Sequence, residues 1–192
     1  MNIEIIKQIV LENIQKKQEE KQPIIVAIDG RCASGKTTLA QALQTKLDCN
    51  VIHMDSFFLR PEQRTPEHYQ TPGGNVDYER LQKEVFEPLK KGEAFSYRPF
   101  ICSTQTLGEV VQVEPKSITI IEGSYSCYPL LWDIYDLHIF LTIGPEEQLL
   151  RLEKRNAQKV NDFQHKWIPL EEAYFSYYEI QKKCELCVEC NK

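Results

Sequence analysis

Two hydrophobic rhythms run along the chain. Ile3, Ile6, Val10 and Ile14 recur at three- and four-residue spacing, with Ile9 widening the stripe, so residues 3–20 predict an amphipathic helix. The polar run Lys16–Gln22 reads as a solvated face, and Pro23 ends the pattern. Residues 24–28 are continuously apolar, as a strand buried on both faces of a parallel sheet must be. Gly30–Gly35 then reads as a loop, and Leu39, Leu43 and Leu47 give helical spacing over Thr37–Leu47. Val51–Met54, Ile118–Ile121 and Leu137–Ile143 predict further strands, and residues 185–189 a closing one. Helices are predicted over residues 79–90, Pro129–Tyr135, 145 to about 159, and 169–183. Residues 57–78 contain Pro61, Pro66, Pro72, Gly73 and Gly74 and read mostly as loop. Residues 94–114 predict two antiparallel strands outside the main sheet. Strands alternating with helices define an α/β fold.

Composition narrows the function classes. The chain has 192 residues, enough for one domain with a full core (residues 23–192) behind the N-terminal helix of residues 1–22. A net charge of −5 gives no general attraction to nucleic acid or anionic membranes, so phosphate binding must be local. No apolar run is long enough to span a membrane. The N-terminus lacks a basic start and is broken by Glu4, Lys7 and Glu12, so no signal peptide is read and a cytoplasmic location is expected. The seven cysteines are expected to be free thiols. Cys184, Cys187 and Cys190 have CxxCxxC spacing, but a predicted strand there turns Cys184 and Cys187 to opposite faces, which favours a structural over a metal role.

One motif carries specific chemistry. Gly30-Arg31-Cys32-Ala33-Ser34-Gly35-Lys36-Thr37 matches G-x-x-x-x-G-K-[ST] without a gap, between a predicted strand and a predicted helix. Glycines let backbone N–H groups close around phosphate oxygens, and the following helix points its positive end at the anion. Lys36 would reach the β- and γ-phosphates, and Thr37 would offer its hydroxyl to Mg²⁺. Thr38 extends the expected ATP-binding set of Gly30, Arg31, Cys32, Ala33, Ser34, Gly35, Lys36 and Thr37.

Two carboxylates stand where strand ends open on a ligand crevice. Asp55 follows Val51-Ile52-His53-Met54, and Glu122 closes Ile120-Ile121. Asp55 can accept a proton from an acceptor hydroxyl or sit beside Mg²⁺, and a plain turn cap is its alternative role. The GTPase motifs D-x-x-G and N-K-x-D are absent in their required places. A strand ending Ile-Ile-Glu-Gly in a chain this small fits small-molecule kinases rather than motor ATPases.

The ordered segments resemble the uridine kinase-like branch of the P-loop nucleoside and nucleotide kinases, near phosphoribulokinase and pantothenate kinase. His53-Met54-Asp55-Ser56-Phe57-Phe58 resembles the MDSFY segment, Asn75-Val76-Asp77-Tyr78 the start of NFDHPDAFD, and Ile121-Glu122-Gly123 the FEGI strand end. Leu150–Arg155 resembles the lid helix. The resemblance implies a three-layer αβα P-loop NTPase fold with a mostly parallel five-stranded sheet, a small antiparallel hairpin and a helical lid. It implies ATP as phosphoryl donor, Mg²⁺ held by Thr37, Asp55 and Glu122, and Asp55 and Lys36 as catalytic groups. Arg151 and Arg155, four apart on one helix face, would cover the phosphates, with ordinary surface charge as the alternative. Asp77 would hold acceptor hydroxyls. Phe58, Tyr97 and Arg98 would meet the acceptor, although Tyr97 and Phe100 read equally as core aromatics and Arg98 as a surface residue. The base-binding pattern of uridine kinases is not matched at Phe95–Thr104, so a non-nucleoside alcohol stays open as acceptor, as does an ATP-binding regulatory protein without transfer. The partners read from this are ATP and a small-molecule acceptor, with no nucleic acid and no membrane; a homo-oligomer is compatible with the sequence.

Overall fold

The computed structural model describes residues 3–190. Helix α1 (Ile3–Glu20) leads into strand β1 (Ile24–Gly30), the phosphate-type loop and helix α2 (Lys36–Gln44), then strand β2 (Cys49–His53). Four short strands follow: β3 (Phe95–Tyr97), β4 (Phe100–Ile101), β5 (Thr106–Leu107) and β6 (Val111–Val113). Strands β7 (Ile118–Glu122), β8 (Leu137–Thr142) and β9 (Leu186–Glu189) complete the set. The main sheet has the order β2-β7-β1-β8-β9, and every pair in it is parallel. The sequence led us to expect a mostly parallel sheet; this one is wholly so.

Alternation along each strand builds two cores. Ile24, Val26 and Ile28 of β1 face the same side as Ile118, Ile120, Leu137 and Ile139. There they meet Ile6, Val10 and Ile14 of α1 and Leu39 and Leu43 of α2. Ala27, Ile121 and Phe140 face the other side, against Leu81, Val85, Tyr174 and Phe175. With both faces covered, period-two alternation disappears from the sequence into continuous apolar runs. The result is a three-layer αβα P-loop fold.

Several local expectations change. The loop of residues 57–78 contains a 3₁₀ turn at Pro61–Gln63 and a short helix at Pro66–Gln70, capped by the Thr65 hydroxyl. The helical stretch after it runs through Tyr78–Leu81, a π-type turn at Gln82–Phe86, and Glu87–Lys91. A second π-type turn, Phe163–Trp167, precedes the helix Ile168–Tyr177. Each π turn ends two residues before a proline, Pro88 or Pro169. Proline has no N–H to donate and its ring crowds the preceding turn, so the ladder widens there.

The expected hairpin over residues 94–114 forms two separate ladders, β3 with β6 and β4 with β5. Pro99 divides them because it cannot donate to a ladder. Cys184 lies in the link between the short helix Ile180–Lys183 and β9, outside the strand assumed for it. Its sulfur is 4.0 Å from that of Cys127, while Cys187 is exposed and Cys190 is buried. No helix among the described residues is long and apolar enough to cross a membrane.

Candidate active site

The carboxyl ends of β1, β2 and β7 open on one cavity of about 520 Å³. The phosphate-type loop forms its floor. At Gly30 the backbone has φ 134°, and a Cβ there would lie 2.0 Å from the Leu141 carbonyl oxygen, so only glycine fits against β8. Gly35 has φ 104° and starts α2 with open space where a side chain would stand. Ala33 also takes a positive φ of 60°, which completes the curl of the loop.

Lys36 is buried and folds back over the loop. Its Nζ donates to the Gly30 carbonyl at 2.6 Å and the Arg31 carbonyl at 2.9 Å. The Ser34 hydroxyl is buried inside the same loop without a hydrogen-bond partner. Thr37 and Thr38 line the cavity beside Lys36.

A chain of polar groups runs across the strand ends. The register places His53 of β2 opposite Glu122 of β7. Glu122 Oε1 is 2.5 Å from His53 Nδ1 and accepts the Thr37 hydroxyl at 3.0 Å. The hydrogen bond to Glu122 holds the His53 imidazole above its ordinary value. Asp55 sits in the 3₁₀ turn Met54–Phe57 directly after β2 and lines the same cavity. Burial pushes its carboxyl above the usual range, partly offset by His53.

The far wall is the helix Pro145–Asn156. Arg151 and Arg155 both line the cavity from it. Arg151 donates to Glu147 at 2.9 Å, to the Ala33 carbonyl at 3.3 Å and to the Cys190 carbonyl at 2.6 Å. The Arg155 guanidinium lies 5.1 Å from the Phe163 ring centre.

Two residues of the loop are held by groups outside it. Arg31 forms a forked ion pair with Glu172, at 2.6 and 2.9 Å. The Cys32 thiol is buried, and burial pushes it up to about 12. Beneath the loop, the fully buried Asp29 carboxyl accepts four donors. These are the N–H groups of Gly30 at 2.6 Å, Tyr125 at 3.1 Å and Cys127 at 2.9 Å, and the Tyr174 hydroxyl at 2.8 Å.

A second cavity of about 310 Å³ adjoins the first, and Phe58 lines both. Tyr69, Phe100, Phe163 and Trp167 give it aromatic walls. Asn75, Gln105, Arg64, Lys159 and Asp162 add polar groups. Apart from Asn75, which opens the Asn75-Val76-Asp77-Tyr78 segment, the sequence singled out none of these polar residues. They come from segments scattered between residues 64 and 162, and only the fold assembles them. The π turn at Phe163–Trp167 is what aims both of its aromatic ends at this space.

Three residues expected to meet the acceptor make scaffold contacts in this structure. Asp77 caps the helix Tyr78–Leu81, accepting from Arg80 N at 3.0 Å, and takes a further bond from Gln63 at 2.7 Å. Tyr97 is a core aromatic, 5.3 Å from the Phe57 ring. Arg98 pins the two small ladders together through the Gly108 carbonyl at 2.8 Å and the Leu107 carbonyl at 3.1 Å. None of the three lines either cavity.

Known proteins bear on this geometry. No family model matches the chain. It is 30% identical over 150 residues to a uridine kinase of Aliivibrio salmonicida, covering 71% of this chain and 69% of that protein. It is 27% identical over 152 residues to a uridine kinase of Ureaplasma parvum serovar 3, covering 73% of this chain and 72% of the relative. A solved structure described as a possible uridine kinase from Bacillus stearothermophilus superimposes with a TM-score of 0.70, at 20% identity and 96% coverage of both chains. With a phosphate-type loop on the central strand of a parallel sheet, these likenesses define a P-loop kinase. The chain belongs to the uridine kinase family.

Proposed function

We propose that the protein moves the γ-phosphoryl group of ATP to a hydroxyl of a nucleoside. ATP with Mg²⁺ sits in the cavity over Gly30–Thr37, and the acceptor sits in the adjoining aromatic cavity. The observation that carries this reading is the adjacency itself: Phe58 belongs to both cavities, and Asp55 lies at the end of β2 just before it.

The loop residues fit a triphosphate. Gly35 leaves open space, the N-terminus of α2 points at it, and the Ser34 hydroxyl has no partner of its own. Thr37, Glu122 and Asp55 supply the hard oxygen ligands that suit Mg²⁺. When bound, the metal neutralises phosphate charge and orients the transferring group. Lys36 exchanges its contacts with the loop carbonyls for phosphate oxygens. Arg151 and Arg155 place positive charge over the same space.

Asp55 takes the proton of the acceptor hydroxyl. Burial favours its protonated form, which raises its basicity for that task. Little covalent chemistry is asked of the protein; positioning and charge carry the rate. In the acceptor cavity, the Tyr69, Phe100, Phe163 and Trp167 rings offer stacking faces for a planar base. Asn75 and Gln105 offer donors and acceptors to its edge.

A second reading has one specific observation behind it. Arg64 and Lys159 line the acceptor cavity alongside Asp162 and Glu171, and either cation can pair with an anionic group on a non-nucleoside alcohol. A screen of nucleosides and small alcohols for acceptor-dependent ADP release separates the two. Turnover with uridine or cytidine supports the nucleoside. Turnover only with acidic alcohols supports the second reading. Tight MgATP binding with no turnover on any acceptor contradicts both.

A further inference from the structure

Glu171 is 6% exposed, and its carboxyl lies between the two cavities, on the helix Ile168–Tyr177. One oxygen accepts the backbone N–H of Cys32 at 2.9 Å. The other accepts the Ser124 hydroxyl at 2.7 Å. Ser124 lines the nucleotide cavity, while Glu171 itself lines the acceptor cavity. Neighbouring contacts act on the same stretch of backbone. Glu172 holds the Arg31 side chain, and Gln148 donates to the Cys32 carbonyl at 3.0 Å.

Phosphate binding depends on where the loop amides point, and that depends on the backbone angles of Arg31 to Gly35. Ala33 sits there at a positive φ of 60°, which a non-glycine residue keeps only when its surroundings hold it. Cys32 N–H is buried and would otherwise have no fixed partner. We propose that Glu171 is a positioning residue for the nucleotide site. It fixes the Cys32 amide and the Ser124 hydroxyl, and so sets the loop for phosphate before the nucleotide arrives. This rests on the reading of Gly30–Thr37 as the ATP site.

Two effects of the side chain oppose each other. Its hydrogen bonds pre-organise the loop, while negative charge near the phosphates repels them. Charge-matched comparisons separate the two. Glu171→Ala and Glu171→Gln both remove the charge, but only Glu171→Gln keeps an acceptor within reach of Cys32. Glu171→Asp keeps the charge and shortens the reach by one methylene.

The test is calorimetric MgATP affinity at 20 °C for the full chain and these variants, alongside their thermal midpoints. Glu171→Ala is expected to bind about tenfold more weakly than Glu171→Gln, the size of the cost of leaving the buried Cys32 N–H unsatisfied. Glu171→Asp is expected to bind about tenfold more weakly than the wild type, and this pair is read if Glu171→Ala does not fold. A merely structural residue lowers the thermal midpoint and leaves these ratios near one. A ratio of five or more supports the proposal, and a smaller one overturns it. A wild-type chain that binds no MgATP removes the ATP-site reading, and this proposal with it.

Discussion

Asp29 gives the most direct physical test of how the loop is supported. Its carboxyl is fully buried under Gly30, and burial pushes it from the ordinary 3.8 up to about 6 against the pull of its donors, Cys127 N–H first among them. The shift fixes the sign of a pH effect. A folded-state value above the unfolded one means that folding favours the protonated form. The associated stability is fully present below about pH 4 and is lost as pH rises through about 6. At about 1.36 kcal/mol per pH unit of displacement, the loss is about 3 kcal/mol.

The Asp29→Asn variant lacks this titration. It keeps the shape of the protonated acid and one carbonyl oxygen, but its NH2 faces two of the four donors, so near pH 4 its stability should lie below that of the wild type. Between pH 4 and 7.5 the variant should gain on the wild type by about 3 kcal/mol. Other titrating groups are common to both chains and cancel in the difference. Urea unfolding followed by circular dichroism at several pH values measures it. A difference that stays flat within about 1 kcal/mol over that range refutes the reasoning. The four donors would then outweigh burial and hold the carboxyl ionised throughout.

Three further outcomes are expected. Lys36→Ala should weaken MgATP binding at least about tenfold by calorimetry, because the ammonium folded over the loop carbonyls is lost; unchanged affinity takes phosphate binding away from Gly30–Thr37. Ile14→Ala should cost about 2–5 kcal/mol in urea unfolding, since Ile14 is fully buried between α1 and the sheet; a cost under about 1 kcal/mol would mean that α1 adds little to that core. Trp167→Ala should raise the acceptor KM about tenfold with a smaller change in kcat, as the loss of one stacking face would; a fall in kcat at constant KM would move Trp167 out of acceptor binding.

What the sequence disclosed divides by range. The apolar runs of β1, β7 and β8, each paired with its neighbours over consecutive residues, could be read directly. So could the phosphate loop, because one short segment contains its whole geometry. Asp55 and Glu122 were legible in place because a residue at or just after the end of a buried strand must emerge at its carboxyl end. Asp77 could not be placed from the motif alone. Its carboxylate is taken by the Arg80 amide and by Gln63, one partner three residues away and the other across a loop. Tyr97 and Arg98 were left open between site and scaffold; in the fold Tyr97 packs on Phe57 and Arg98 bonds the carbonyls of β5 and its turn. The second cavity gave no local signal. Arg64, Gln105 and Trp167 meet there only after the sheet, the small ladders and the π turn are in place.

The central claim is that Asp55 serves transfer from a nucleotide on the loop to an acceptor in the next cavity. Transfer of label from γ-³²P-ATP to the best acceptor in the screen, by the wild type and by Asp55→Asn, tests it most directly. The variant should keep MgATP affinity within about threefold and lose about 10²–10⁴ in kcat. An Asp55→Asn chain that phosphorylates the acceptor at the wild-type rate would contradict the account.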